Sequence, residues 1–277
     1  KVDLSHINSP SEMPRATWIG HATVLVQHQG VNFLTDPHLT DYPSPFDWGS
    51  KRFTPPALSF EEMPELDFIV ISHNHYDHLD KSAIKKLSAK TKQFYVPLGV
   101  DTDLVKWGVN ENKISTFNWW QELQTEHALV AFTPTQHFSG RGLNDANNTL
   151  WGSWVIKTSQ QSVYFSGDSG YFAGFKEIGN KYGPFDLTLI ETGAYDKDWA
   201  DIHMTPEQSV QAHIDLQGKT LVPIHNGTFD LAFHAWVDPF ERVTAASNIN
   251  NVTLSTPEFG QIFTPTDAAI THKWWKN

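Results

Sequence analysis

Cysteine is absent from this chain of 277 residues, which excludes disulfides, thiolate metal ligands and cysteine nucleophiles together. No run of about 18 apolar residues occurs, so no segment reads as a membrane-spanning helix. Basic residues are scarce: 20 Lys and Arg against 31 Asp and Glu leave a formal net charge of −11. A nucleic-acid backbone calls for a basic footprint, so nucleic acid is excluded as a partner and RNA processing is disfavoured. Electrostatic adhesion to anionic lipid is disfavoured for the same reason. Low-complexity tracts, short-period repeats and long linkers are also missing. The chain starts at Lys1 rather than Met, so an upstream targeting segment is expected to have been removed, and the compartment stays open.

Apolar residues make up 39% and aromatics 13%, with 11 Trp, enough for a sizeable core walled by large rings. Strands are expected at Ala16–Ile19, Thr23–Gln27 and Val31–Thr35, with a hairpin turn at Gln29-Gly30. A Pro-, Ser- and Asp-rich stretch over 41–64 reads as a surface loop. Further strands are expected at Leu66–Ser72, Gln93–Pro97, Ile114–Phe117, Ala128–Thr133, Trp151–Thr158, Ser162–Ser166, Leu187–Glu191 and Thr220–Ile224. Helices are expected over Asp80–Ala89, Asp101–Trp107, Phe175–Tyr182 and Pro239–Ser247, with closing strands after the last. Thr205-Pro206-Glu207-Gln208 spells a capping box for one more, running to about Leu216. Strand runs punctuated by helices predict two sheets packed face to face with helices outside.

His73-Asn74-His75-Tyr76-Asp77-His78 follows the apolar run Phe68-Ile69-Val70-Ile71-Ser72. Imidazole is the commonest ligand of zinc-like metals and carboxylate an accepted partner. Residues two apart point the same way, so His73 and His75 can share one metal, while Asp77 and His78 face a position next door. Three more ligand residues follow apolar strands: His137, Asp168 and His225. A consistent assignment gives His73, His75 and His137 to one metal and Asp77, His78 and His225 to another, with Asp168 bridging. Two such metals about 3.5–4 Å apart can hold one hydroxide between them and clamp an in-line displacement. Phosphoester, lactone and amide hydrolysis all suit that centre.

The hexapeptide matches the HxHxDH signature of the metallo-β-lactamase superfamily. Longer blocks resemble its N-acyl-phosphatidylethanolamine-hydrolysing phospholipase D branch and bacterial relatives: Trp18 to Thr23, Leu34 to Pro37, Ser72 to Asp80, Trp151 to Trp154, Gly167 to Tyr171 and Ile224 to Phe229. The likeness runs from about Thr17 to beyond Phe229. It implies an α+β fold, an αββα sandwich of two mixed sheets with helices on the outer faces, and residues 1–277 as a single hydrolase domain. It also implies two zinc ions at one edge on the seven residues assigned above, with iron or manganese able to occupy similar sites. Asn226 departs from the branch, which carries Trp after the last histidine ligand, and this bears on lipid specificity.

The implied activity is hydrolysis of N-acyl-phosphatidylethanolamine to N-acylethanolamine and phosphatidic acid by a metal-bridging hydroxide. Asp77 is expected to orient the hydroxide. His203, before the capped helix, matches a position that contacts the substrate phosphate. His21 and Asp36 are expected to orient the ligand imidazoles. His234 is expected to line the cleft, and Phe229, with Trp119, Trp120, Phe138 and Trp199, either to wall an acyl groove or to pack in the core. His6, His28, His38, His127, His213 and His272 are expected at the surface. A lipid substrate brings transient membrane contact, and a homodimer stays open. The rivals are a lactonase of the ascorbate-6-phosphate lactonase-like branch and a metal-binding stress-response protein with little catalysis.

Overall fold

The computed structural model describes residues 2–9, 13–28, 30–265 and 269–276. Strands β1 (Arg15–Gly20), β2 (Thr23–His28) and β3 (Val31–Thr35) form an antiparallel meander. Gln29 of the expected turn lies outside the described residues, and His28 pairs with Val31 across it. A short helix, α1 (Leu4–Asn8), precedes them, capped by the Asp3 side chain. Its five residues are too few to show a helical period, so the sequence signals no helix there.

Beyond β3 the same sheet continues in parallel through β4 (Leu66–Val70), β5 (Thr91–Pro97) and β6 (Ile114–Phe117). Parallel neighbours need crossovers, and α2 (Lys81–Leu87) and α3 (Asp101–Lys106) supply two of them. The second sheet begins antiparallel with β7 (Glu122–Gln124), β8 (Leu129–Thr133), β9 (Ser153–Lys157) and β10 (Ser162–Phe165). It turns parallel through β11 (Phe185–Glu191), β12 (Gly218–Ile224) and β13 (Thr253–Leu254). Helices α4 (Gly174–Tyr182), α5 (Pro206–Asp215) and α6 (Asp238–Asn250) connect these last strands. A final strand, β14 (Ile262–Phe263), returns to pair with β1. Both sheets are therefore seven-stranded and mixed, in the orders β14-β1-β2-β3-β4-β5-β6 and β13-β12-β11-β10-β9-β8-β7.

The α+β sandwich expected from the sequence is what the chain forms. Alternate residues of one strand face different layers: Phe68 and Val70 enter the core between the sheets with Phe132, Trp154 and Phe165. Ile69 and Ile71 face outward onto Ala83, Ile84, Leu87 and Leu104 of α2 and α3. On the other outer face Tyr164, Phe185 and Leu221 pack against Phe175, Val210 and Val243 from α4, α5 and α6. Strands buried on both faces explain the unbroken apolar runs. The three residues of β7 are exposed, so no alternation announces that strand. The capping box forms as expected, with Thr205 accepting from the Gln208 amide and the Gln208 side chain from Thr205. No helix among the described residues is long and apolar enough to cross a membrane.

Ties between the sheets gather where β4 and β10 end. Trp154 Nε1–H donates to Ile71 O at 2.8 Å, and Gly152 N–H to Ser72 O at 3.0 Å. The Gly152 amide is turned to Ser72 of the other sheet, and regular pairing starts at Ser153, two residues later than expected. Gly167 sits at φ +56, where a Cβ would lie 2.4 Å from Ser72 Cβ and 2.9 Å from Gly152 O. Ser72 precedes His73 and Gly167 precedes Asp168, so this close approach brings the two segments together. Gly167→Ala is expected to cost about 2–4 kcal/mol through overpacking and a left-handed backbone. Gly30→Ala, at φ +80 with open space around it, should cost about 1 kcal/mol. Urea denaturation of both variants checks the difference, and equal costs would contradict it.

Candidate metal centre

Strand ends are rigid, and the loops beyond them are free to carry polar groups. Here β4 delivers His73 to His78, β8 leads to His137, β10 to Asp168 and β12 to His225. The turn between β1 and β2 adds His21, and β11 ends in Glu191. All of them meet at one edge of the sandwich.

Two groups of donors form there. In the first, His73 Nε2 lies 2.8 Å and His137 Nε2 3.2 Å from His75 Nδ1. In the second, His78 Nε2 and His225 Nε2 lie 3.3 and 3.2 Å from Asp77 Oδ2. Asp168 stands between them. Its Oδ2 is 3.1 Å from His78 Nε2, 3.8 Å from His137 Nε2 and 3.9 Å from His73 Nε2, while Oδ1 is 3.3 Å from His225 Nε2.

Hydrogen-bond bookkeeping tests whether these residues fit a metal. His78 Nδ1 donates to Asp36 Oδ2 at 2.6 Å, His73 Nδ1 to Ser72 Oγ at 2.9 Å and His137 Nδ1 to Ile202 O at 3.0 Å. With those protons directed outward, the Nε2 atoms of His73 and His137 turn bare lone pairs toward the interior, and His78 Nε2 faces the Asp77 and Asp168 oxygens. Asp168 Oδ1 is buried and accepts no well-aligned hydrogen bond. Lone pairs and carboxylate oxygens converging without donors between them suit a cation. Zinc–nitrogen bonds of 2.0–2.1 Å in a tetrahedron imply donor–donor edges of about 3.3–3.4 Å, close to the spacings in both groups. The residues fit.

Asp36 holds this arrangement from behind. Its carboxylate accepts from Ser72 N at 2.7 Å and Ser72 Oγ at 2.5 Å besides His78, linking two imidazoles through one buried acid. Burial pushes the Asp36 pKa up, against the pull of His78. Burial also drives His73 well below its ordinary value and His137 down to about 3, keeping their rings neutral. For His225 burial acts downward too, yet the Asp168 and Asp77 carboxylates raise it to about 10. His78 is likewise held well above normal by Asp168 and Asp77 despite burial. The two carboxylates call for positive charge at this place.

His203 faces the first group and Asp168, its ring centroid 5.3 Å from that of His137. Its Nδ1 is hydrogen-bonded to Glu191 Oε1, and Glu191 Oε2 accepts from Ser169 N at 2.8 Å. Burial raises the Glu191 pKa; for His203 burial is outweighed by the Glu191 charge, and its pKa rises. Sequence reasoning missed Glu191, although it ends the apolar run Leu187 to Ile190 much as Asp168 follows its own. His21 Nε2 lies 3.0 Å from Asp77 Oδ2.

A cavity of about 280 Å³ opens over the edge, lined by His75, Asp77, His137, Asp168, His203 and His225 with Phe138, Trp199 and Leu231. A second, of about 270 Å³, shares Ala194, His225 and Leu231 with it and is walled by Phe53, Phe229 and Trp236. His234 lines this second cavity, stacked on Tyr195 at 4.1 Å. A larger, polar cavity of about 870 Å³ lies behind the Tyr76–Asp80 segment and touches neither group's donors. Trp119 and Trp120 line neither smaller cavity but pack against the two cores, the core alternative for these two. His28, His38 and His213 are buried rather than on the surface. His38 accompanies Arg52, and His213 bonds Thr188 Oγ1 at 2.7 Å.

Residues 31–226 match the model of the beta-lactamase superfamily domain. An uncharacterized protein of Mycobacterium tuberculosis is 43% identical over 265 residues, spanning 94% of this chain and 71% of its own length. The N-acyl-phosphatidylethanolamine-hydrolyzing phospholipase D 1 of Caenorhabditis elegans is 35% identical over 274 residues, 91% of this chain and 76% of that protein. In three dimensions the chain is similar to Igni18, a metallo hydrolase of Ignicoccus hospitalis. The TM-score is 0.68 at 24% identity, over 91% of this chain and 98% of that one. At that identity the likeness speaks for the fold alone.

To bind a metal, His225 must lose the proton that a pKa of about 10 retains at neutral pH. Metal loading is therefore expected to release protons, and affinity to rise with pH up to about 10. Calorimetric titration with zinc in buffers of different ionisation enthalpy measures the release. Affinity that stays constant between about pH 6 and 9 would contradict it.

Proposed function

The chain belongs to the beta-lactamase superfamily and is a metal-dependent hydrolase; from that premise we propose that it is a dinuclear zinc phosphodiesterase. Its proposed substrate is of N-acyl-phosphatidylethanolamine type, yielding an N-acylethanolamine and phosphatidic acid. The observation that carries this reading is the adjacency of two cavities that share Ala194, His225 and Leu231, one lined by metal-ligand residues and one by aromatics. A phosphodiester with apolar arms places its charge in the first and an arm in the second. The 35% identity to a phospholipase of that specificity supports the same choice.

In this reading His73, His75 and His137 hold one zinc, Asp77, His78 and His225 hold the other, and Asp168 serves both. When bound, the metals supply a water of near-neutral pKa and positive charge for the non-bridging phosphate oxygens. Asp77, with an oxygen facing the cavity, orients the attacking water. His203 is held by Glu191 through Nδ1, which leaves Nε2–H to contact the phosphate and protonate the departing alkoxide. It also stands just before α5, whose N-terminal amides favour an anion. Residues 1–277 act as one catalytic domain. Exposed Phe233 and Trp236 lie beside the aromatic cavity and suit a transient contact with the membrane that holds the substrate, through apolar rings rather than charge.

Two measurements test the reading. On zinc-replete enzyme, kcat/KM for N-acyl-phosphatidylethanolamine should exceed that for simple lactones. Faster lactone turnover would hand the site to the lactonase reading. His203→Ala should lower kcat/KM by about 10²–10⁴-fold, the range of acid–base and oxyanion contacts, with zinc content unchanged. A variant with near wild-type kcat/KM would remove His203 from the chemistry.

A further inference from the structure

His21 directly follows β1 in the turn to β2, its side chain is only 1% exposed, and it points into the metal edge. Three imidazole nitrogens approach a single carboxylate oxygen: His21, His78 and His225 Nε2 lie 3.0, 3.3 and 3.2 Å from Asp77 Oδ2. That oxygen has two lone pairs, one fewer than the approaching nitrogens. His78 has already committed Nδ1–H to Asp36, and its Nε2 stands 3.1 Å from His225 Nε2. At that distance one of the two nitrogens accepts with its lone pair. One ligand atom from each of His21, Asp77, His78 and His225 lies within 4.8 Å of the others, so a single cation can reach all four. Their spacings of 3.0–3.3 Å lie near the edges of about 3.3–3.4 Å implied by zinc–nitrogen bonds of 2.0–2.1 Å.

The backbone of His21 is pinned for such a task. Its N–H donates to Thr228 Oγ1 at 2.8 Å, and its carbonyl accepts from Trp18 Nε1 at 2.8 Å and from the amide of His225 at 3.1 Å. The turn that carries His21 is thus tied to the segment that carries His225.

We propose that His21 is a direct ligand of the second metal through Nε2, an inference that rests on the two-metal reading above. That ion then has His21, Asp77, His78 and His225 as its own donors and shares Asp168. The other ion has only His73, His75 and His137 beside the shared carboxylate. Fewer donors of this chain would then surround the ion held by His73, His75 and His137. Residues of both sets line the cavity, His75 and His137 from the first and Asp77 and His225 from the second.

The test uses cobalt as a spectroscopic probe on the full chain. In the wild type, each ligating imidazole should show one paramagnetically shifted ring N–H in the proton NMR spectrum. Six are expected with His21 in the set and five without it. His21→Gly suits the backbone, since φ is 53 there. It should bind the first cobalt normally, lose about tenfold or more in affinity for the second, and lack one shifted N–H. Added imidazole should restore the second ion's d–d spectrum. Five shifted protons in the wild type, or a second-cobalt spectrum identical in wild type and His21→Gly, overturns the assignment of His21 alone. Uptake of a single cobalt by the wild type overturns the two-metal reading with it.

Discussion

A buried carboxylate, Asp168, and a part-buried one, Asp77, stand among imidazoles of which His73, His78 and His137 are already hydrogen-bonded through Nδ1, and the rest of the structure is arranged around that constraint. Removing a carboxylate from water costs several kcal/mol unless a counter-charge is supplied. No lysine or arginine is paired with either acid among the described residues. Only histidines approach, and most are held neutral by burial. The exceptions, His78 and His225, are raised by these same carboxylates. Protons on those rings and metal ions are alternative answers to one electrostatic demand, so loading is expected to depend on pH.

Meeting that demand sets strict terms for the fold. The donors come from the ends of β4, β8, β10 and β12, split between two sheets, so the sheets must hold a common register at one edge. They do so through backbone and indole contacts rather than through the ligands. Trp154 reaches Ile71, Gly152 reaches Ser72, and Gly167 admits Ser72 where a side chain would not fit. Asp36, at the end of β3, then fixes two imidazoles with one acid. Core packing and site geometry share residues here, so damage to one reaches the other.

Much of this was legible in the sequence. The αββα layering follows from apolar runs of strand length separated by helix signals. His73 to His78 are contiguous and stand out; His137, Asp168 and His225 could be found because each follows an apolar strand. Glu191 obeys the same rule but was passed over, since a lone glutamate at a strand end carries no ligand spacing, and its significance comes from His203, twelve residues away. The approach of His21 to Asp77 is a contact between residues 56 apart, which no local pattern reports. Burial of His28, His38 and His213 was missed for a related reason. A histidine's neighbours across the sheet decide whether it is covered, and Arg52 over His38 comes from a loop that reads as surface. The strands β7 and β14 and the helix α1 are too short to carry a period.

The central claim is that seven residues from both sheets build one two-ion site. Crystals of zinc-loaded protein, measured on either side of the zinc absorption edge, test it most directly. The account predicts two anomalous peaks about 3.5–4 Å apart. One should lie within reach of His73, His75 and His137, the other within reach of Asp77, His78 and His225, with Asp168 touching both. A single peak, or two peaks that leave Asp168 without a metal contact, would contradict it.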